Sequence, residues 1–458
     1  MNTIVAISTA MGTGGIGIIR MSGKECFDIL DKIFEPSIKE NINKIKGYSI
    51  KYGHIVNRAT NEKIDEVLVS YFKSPKSYTT EDMCEINSHG GLVVEKRILE
   101  LCIKNGAILA EPGEFTKRAF LNGRIDLAQA ESVMDLINSK TDREAKASVN
   151  QLKGGLSKEI NSIKKQLLDI MADIEATIDY PEYDIDEITQ NNVKGKLEYV
   201  KKELEALEKS FDNGKILKDG VKTAIIGKPN TGKSSLLNLL LKEERAIVSE
   251  IEGTTRDTIE EYISINGIPL KIIDTAGIRN TNDKIEKIGV EKSIRLIDES
   301  DLIIAIFDNS NELDNEDKKI LELIKNKKAI VLLNKIDKAD KMNDENENIA
   351  NLNKKTIKIS TKTKKGLNEL YDAITEMFDF KEIEKGEETV ITNIRHKNQI
   401  SMAIKNIMDA IKTIDENMPI DIIAIYIKQI LEDLSKITGD NVSEDIINEI
   451  FSKFCLGK

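Results

Sequence analysis

The octet Gly227-Lys228-Pro229-Asn230-Thr231-Gly232-Lys233-Ser234 constrains this chain more than any other segment. It fits G-x-x-x-x-G-K-[ST] and lies between two apolar runs, residues 221–226 and 236–241. A strand that turns through glycines into a helix lets several backbone N–H groups face phosphates. The helix N-terminus adds its positive end. In such a loop Lys233 is placed to bridge the outer phosphates and the Ser234 hydroxyl to ligate Mg²⁺.

Three further motifs follow in series. Asp274-Thr275-Ala276-Gly277 ends the apolar run 270–273, where a carboxylate can hold the Mg²⁺ hydration shell and a glycine N–H can sense a terminal phosphate. Asn334-Lys335-Ile336-Asp337 follows the run 329–333. Asp337 there can accept hydrogen bonds from guanine N1–H and the exocyclic amine, which adenine cannot supply. Ser360-Thr361-Lys362, after the run 356–359, stands where a final loop closes over the base. Between the first two motifs, Gly253-Thr254-Thr255-Arg256-Asp257 offers a threonine that completes Mg²⁺ coordination when a γ-phosphate is present. The series predicts a guanine nucleotide site. Ile278 follows the DTAG motif where Ras-like enzymes place a water-orienting glutamine, so any attacking water must be positioned from elsewhere.

The α/β texture around these motifs spans residues 218–379, with apolar runs at 221–226, 270–273, 302–307 and 329–333. This alternation predicts a parallel sheet with helices on both faces. Residues 1–119 mix short apolar runs with Gly and Pro. Val67 to Phe72 reads as a strand and Leu92 to Lys104 as an amphipathic helix, which predicts an α+β domain. The run Met1 to Ile7 reads as a first strand and not as a secretion signal. Residues 120–217 and 380–458 carry helical patterns. One stripe is Leu197, Val200, Leu204, Leu207 and Phe211, with a stop at Asn213-Gly214. Another is Ile427, Ile430, Leu431, Leu434 and Ile437, and a third is Ile446, Ile447, Ile450, Phe451 and Phe454. The two helical stretches are expected to form one domain into which the α/β domain is inserted. Residues 340–353, rich in Asn and charge, read as a loop.

At 458 residues the chain has room for about three domains. No run reaches the roughly 18–20 apolar residues of a membrane span. Cys26, Cys84, Cys102 and Cys455 form no CxxC pair, and three histidines make a zinc site unexpected. Reduced thiols and a cytoplasmic location are the expectation. The net charge of −11 weighs against nonspecific nucleic-acid binding.

These motifs, together with residues 14–20 (GGIGIIR), 112–123 (PGEFTKRAFLNG), 126–131 (DLAQAE) and 454–458 (FCLGK), resemble the tRNA-modification GTPase family MnmE, also called TrmE. The resemblance covers the whole chain. It implies a multidomain fold: an N-terminal α+β folate-binding domain, an all-α helical domain, and an inserted α/β Ras-like P-loop G domain. It implies GTP-binding positions at Asn230, Thr231, Gly232, Lys233, Ser234 and Ser235, at Ser249, Glu250, Ile251, Glu252, Gly253, Thr254 and Thr255, at Asp274, Thr275, Ala276 and Gly277, and at Asn334, Lys335, Asp337, Ser360, Thr361 and Lys362. The family usually has Ala at the Thr361 position. A K⁺ ion would be held by Asn230, Ser249, Ile251 and Thr254, and Mg²⁺ by Ser234 and Thr255. The K⁺ would supply the positive charge that an arginine finger gives elsewhere. Lys233, Glu286 and Arg279 would be catalytic, with Glu286 orienting the water. Arg20, Glu85, Arg124 and Lys458 would bind a one-carbon tetrahydrofolate, 5-formyl or 5,10-methylene.

The implied activity is K⁺-dependent GTP hydrolysis activated by dimerisation. With a flavin-containing MnmG-type partner in a heterotetramer, the homodimer would add an aminomethyl or carboxymethylaminomethyl group to C5 of the wobble uridine of certain tRNAs. Two readings compete: a ribosome-assembly GTPase switch, and a folate-dependent one-carbon transferase whose G domain is only regulatory. Gly12-Thr13-Gly14-Gly15-Ile16-Gly17 also fits the dinucleotide pattern G-x-G-x-x-G, but Ile18-Ile19-Arg20 continues as a strand where that pattern needs a helix. Cys455 is open to two readings, a nucleophile or a small apolar residue packed beside Phe451 and Phe454, with packing favoured.

Overall fold

Alternation of apolar residues builds the N-terminal sheet of the computed structural model, which describes residues 2–38, 47–179, 186–243, 261–273, 296–341, 347–378 and 389–458. In the strand Glu62–Phe72, Val67, Val69 and Tyr71 are buried while Leu68 faces out. This strand pairs with Tyr48–Asn57 and Met83–His89, and Ile16–Ser22 and Ile4–Ile7 continue a seven-stranded sheet that is antiparallel except where Ile4–Ile7 meets Ile108–Leu109. The helices Cys26–Ile33 and Leu92–Lys104 cover one face and bury Ile29, Leu30, Ile98 and Cys102 against Val5, Ile19, Val69 and Ile86. The predicted first strand, the strand over Val67 to Phe72 and the amphipathic helix are all present. The G-x-G-x-x-G segment leads into the strand Ile16–Ser22, not a helix, which removes the dinucleotide reading.

Long apolar stripes build the helices. Asp186–Asp219 buries Leu197, Val200, Leu204, Leu207 and Phe211 and packs along Ile394–Asp415. This helix corrects one expectation, since it runs through Asn213-Gly214 and ends at Asp219, where Gly220 takes φ +78°. Gly214 serves packing: a Cβ there would lie 2.0 Å from the Ile391 carbonyl oxygen. The backbone of residues 390–391 therefore crosses the helix at the one position without a side chain. In the stripe after 440, Ile447, Phe451 and Phe454 are buried but Ile446 is exposed. Among the described residues of 340–353, the expected loop contains one short helix, Glu347–Ala350.

A six-stranded sheet carries the phosphate-loop motif. Its order is Lys355–Ile359, Ala329–Asn334, Leu302–Asp308, Val221–Ile226, Ile268–Ile272, Glu261–Ile265. The first five strands are parallel, and Glu261–Ile265 is an antiparallel edge strand. That edge was not anticipated, and its cause is local: Asn266 and Gly267 both take positive φ, the two-residue turn that joins adjacent antiparallel strands. Lys233–Glu243 and Leu367–Met377 cover one face, while Asn315–Ile324 covers the other. The inner strands Leu302–Asp308 and Ala329–Asn334 are apolar on both faces along nearly their whole length, as buried parallel strands are.

Two compact units divide the chain. One comprises residues 1–134, 157–161 and 431–458, and the other residues 135–156 and 162–430. No described helix is long and apolar enough to cross a membrane.

Candidate nucleotide and folate sites

Parallel α/β sheets leave a crevice at the carboxyl ends of their strands. Three strands of the six-stranded sheet deliver their motifs there. Val221–Ile226 leads into Gly227, whose missing side chain matters: a Cβ would lie 2.3 Å from the Ile306 carbonyl oxygen. The loop turns at Asn230, with φ +62°, and at Gly232, with φ +111°, and enters the helix Lys233–Glu243. Thr231 Oγ1 donates to the Lys228 carbonyl at 2.8 Å. Lys233 Nζ donates to the carbonyls of Gly227 and Lys228, both at 2.7 Å. Burial pushes the Lys233 ammonium down to about 8. Ser234 stands in the first turn of the helix, half-buried, and Ser235 beside it is exposed. A half-buried hydroxyl at a helix start fits the Mg²⁺ role. Asn230 lies exposed at the mouth of the loop, where its amide oxygen suits a hard cation.

The base-reading loop is tied to the phosphate loop by two hydrogen bonds. Asn334 is buried at the end of Ala329–Asn334, and its Nδ2 donates to the Thr231 carbonyl at 2.8 Å. Gly232 leaves room for that amide, since a Cβ there would lie 2.1 Å from Nδ2. Lys335 Nζ donates to the Asn230 carbonyl at 2.6 Å. The third loop joins through Thr361, whose N–H donates to Asn334 Oδ1 at 3.1 Å and whose hydroxyl lies 3.3 Å from Asn334 Nδ2. Ser360 Oγ donates to Asp337 Oδ1 at 2.7 Å and holds that carboxylate below its ordinary range. The second carboxylate oxygen of Asp337 takes no part in that bond. Lys362 follows in the same loop.

The structure therefore brings together Asn230, Thr231, Gly232, Lys233, Ser234, Ser235, Asn334, Lys335, Asp337, Ser360, Thr361 and Lys362. The remaining candidates, Ser249, Glu250, Ile251, Glu252, Gly253, Thr254, Thr255, Asp274, Thr275, Ala276, Gly277, Arg279 and Glu286, lie outside the described residues. Two supports escaped the sequence reading. Lys228 pairs with Asp314 and with Asp317, the latter at 3.1 Å, so the phosphate loop is braced against the start of Asn315–Ile324. Asp308, which ends the central strand Leu302–Asp308, pairs with Lys335 at 2.6 Å. An acidic residue at the carboxyl end of an apolar inner strand was the available signal for it.

A second cluster forms in the N-terminal sheet. Arg20 and Glu85 are cross-strand partners, and their side chains pair at 2.8 Å. Arg20 Nη1 also donates to the Gly457 carbonyl at 3.2 Å, which Ser8 Oγ approaches at 3.0 Å. Gly457 takes φ +85°, and a Cβ there would lie 2.4 Å from the Ile7 carbonyl oxygen, so only glycine passes. Burial, and then the charge of Arg20, hold the Lys458 ammonium below its ordinary value. The Arg124 guanidinium lies 4.6 Å from the centre of the Tyr78 ring, and Arg20 lies 5.6 Å from the same centre. All four folate candidates therefore border one region, and Tyr78 and Ser8 are additions to it. Cationic groups around one carboxylate and one aromatic ring suit a planar heterocycle that carries carboxylates. Cys455 is exposed, which corrects the packing reading, while Phe451 and Phe454 pack against each other with tilted rings whose centres are 5.0 Å apart.

A guanine-reading loop clasped to a phosphate loop on a mostly parallel sheet defines a P-loop GTPase. A family model described as the MnmE helical domain matches residues 127–455, and one described as GTP-binding protein TrmE N-terminus matches residues 3–124. The tRNA modification GTPase MnmE of Acetivibrio thermocellus is 54% identical over 100% of this chain and 99% of its own length. Those of Alkaliphilus metalliredigens and Finegoldia magna are 48% and 49% identical, over 100% and 99% of this chain and 99% of each relative. The chain belongs to the tRNA modification GTPase MnmE family. It is multidomain, with an N-terminal α+β domain, a helical domain and an α/β P-loop G domain.

Proposed function

We propose that this chain hydrolyses GTP, with Mg²⁺, to drive modification of the wobble uridine of certain tRNAs at C5. The observation that carries the nucleotide half is the clasp of Asn334 and Lys335 on the phosphate loop beside the Ser360-held Asp337. Family membership carries the tRNA half and stands against the ribosome-assembly reading. In this reading residues 218–379 are the G domain, 1–119 the folate-binding and dimerisation domain, and 120–217 with 380–458 the helical domain.

The finer mechanism rests on the family and on fit. Asn230 would give a K⁺ ion its amide oxygen, with Ser249, Ile251 and Thr254 completing the set, and Ser234 and Thr255 would hold Mg²⁺. Bound K⁺ would supply positive charge where the phosphoryl transition state spreads negative charge. Lys233 would bridge the outer phosphates, and Glu286 with Arg279 would position the water that Ile278 cannot. Arg20, Glu85, Arg124 and Lys458 would hold a one-carbon tetrahydrofolate. A flavin-containing MnmG-type partner and a homodimer of this chain complete the proposed assembly.

The rate of GTP hydrolysis in K⁺ against Na⁺ tests the cation. We expect hydrolysis at least about tenfold faster in K⁺, the loss typical of one removed transition-state charge interaction. Equal rates overturn it. Mass spectrometry of wobble uridine in tRNA from cells lacking the gene tests the substrate, and an unchanged nucleoside profile would remove the tRNA assignment.

A further inference from the structure

Asp308 is directly opposite Asn334 across the sheet, and both oxygens of its carboxylate are engaged. Oδ1 accepts from the Ser310 N–H at 3.0 Å and from Ser310 Oγ at 2.6 Å. Oδ2 accepts from Lys335 Nζ at 2.6 Å and from Asn311 Nδ2 at 3.2 Å. Lys335 Nζ spends a second donor on the Asn230 carbonyl. One ammonium thus spans a carboxylate on the central strand and a carbonyl of the phosphate loop. Both backbones it joins are held in the left-handed region, Lys335 at φ +70° and Asn230 at φ +62°, which non-glycine residues adopt only when their surroundings enforce it.

The other tether between the two loops, from Asn334 to the Thr231 carbonyl, joins neutral groups. The Lys335 tether is anchored by a charge, and charge-assisted hydrogen bonds are about twice as strong as neutral ones. Without the carboxylate, Lys335 would keep a single neutral acceptor and a long side chain free to return to water.

We propose that Asp308 is a positioning residue of the nucleotide site: acting through Lys335, it holds the Asn230 end of the phosphate loop against the guanine-reading loop and so sets how long a guanine nucleotide stays bound. The proposal concerns nucleotide release and does not depend on the cation or the folate.

The test is the release rate of a fluorescent GDP analogue from the full-length chain in Na⁺ buffer. Asp308→Asn keeps the oxygen that closes the turn onto Ser310 but removes the charge. It should release GDP about tenfold faster, the effect of one charge-assisted hydrogen bond. Lys335→Met should accelerate release at least as much, and the double variant no further, because the two residues act as one unit. A purely structural role for Asp308 predicts that the effects multiply. Multiplied effects, or unchanged release from Asp308→Asn, overturn the proposal. Ser310→Ala loosens Asp308 without removing its charge and keeps the test decisive if Asp308→Asn fails to fold. It should speed release about threefold, and an unchanged rate would refute the proposal.

Discussion

At the scale of single residues, Lys233 shows how partial burial tunes a charge in the phosphate loop. Its ammonium is half-buried against two carbonyls, and desolvation brings it down to about 8. A bound phosphate favours the charged form and restores its ordinary basicity. The direction of linkage follows. Below about 8 the free site already holds the proton, and above it binding must take a proton up. Affinity for GDP should therefore fall as pH rises from about 8 towards 10, by up to about tenfold per pH unit. Titration of fluorescent GDP across that range measures it, and a flat profile would contradict the assignment. Lys233 was legible in the sequence because its motif is local: eight consecutive residues define the loop it serves. Asp308 was not, because its partner is 27 residues away and meets it only when two strands pair in register.

At the scale of elements, the helix Asp186–Asp219 shows packing overruling a local signal. Asn-Gly is a sound stop signal, and glycine in a helix interior costs about 1 kcal/mol relative to alanine. The helix nonetheless continues to Asp219, because its apolar stripe is buried along Ile394–Asp415 and the backbone at Ile391 fills the gap at Gly214. Gly214→Ala separates the two effects. Propensity alone would stabilise the helix, whereas the overlap with the Ile391 carbonyl should destabilise by about 1–3 kcal/mol net. Thermal unfolding of the variant should show a lower Tm, and a raised Tm would mean that the crossing is loose. The edge strand Glu261–Ile265 is the converse case, since there an Asn-Gly pair acts as the local turn signal it is and reverses the chain between two short antiparallel strands.

At the scale of the whole molecule, the folate candidates bring together residues from opposite ends of the chain. Arg20 and Gly457 are 437 positions apart and share a hydrogen bond. Gly457 is required there by its positive φ and by the 2.4 Å approach that a Cβ would make to the Ile7 carbonyl. Gly457→Ala should displace Lys458 from the Arg20–Glu85 pair. On the proposed folate role it should weaken one-carbon tetrahydrofolate binding at least about tenfold, the worth of roughly one charge-assisted contact. Fluorescence titration of the folate measures this, and unaltered affinity would place Lys458 outside the site.

By itself the sequence determined the local chemistry: a phosphate loop between strand and helix, a guanine-reading tetrad, apolar alternation in the sheets and apolar stripes on the helices. Each is written in neighbours or in a short period, so backbone geometry and burial enforce it wherever the segment lies. Only the tertiary structure decided which charges meet. Asp308 under Lys335, Lys228 against Asp314 and Asp317, and Arg20 between Glu85 and Gly457 are pairings of residues far apart in the chain. Sequence spacing carries no signal for such pairs. Their attraction becomes strong only after strand register and packing have brought them within a few ångströms of each other.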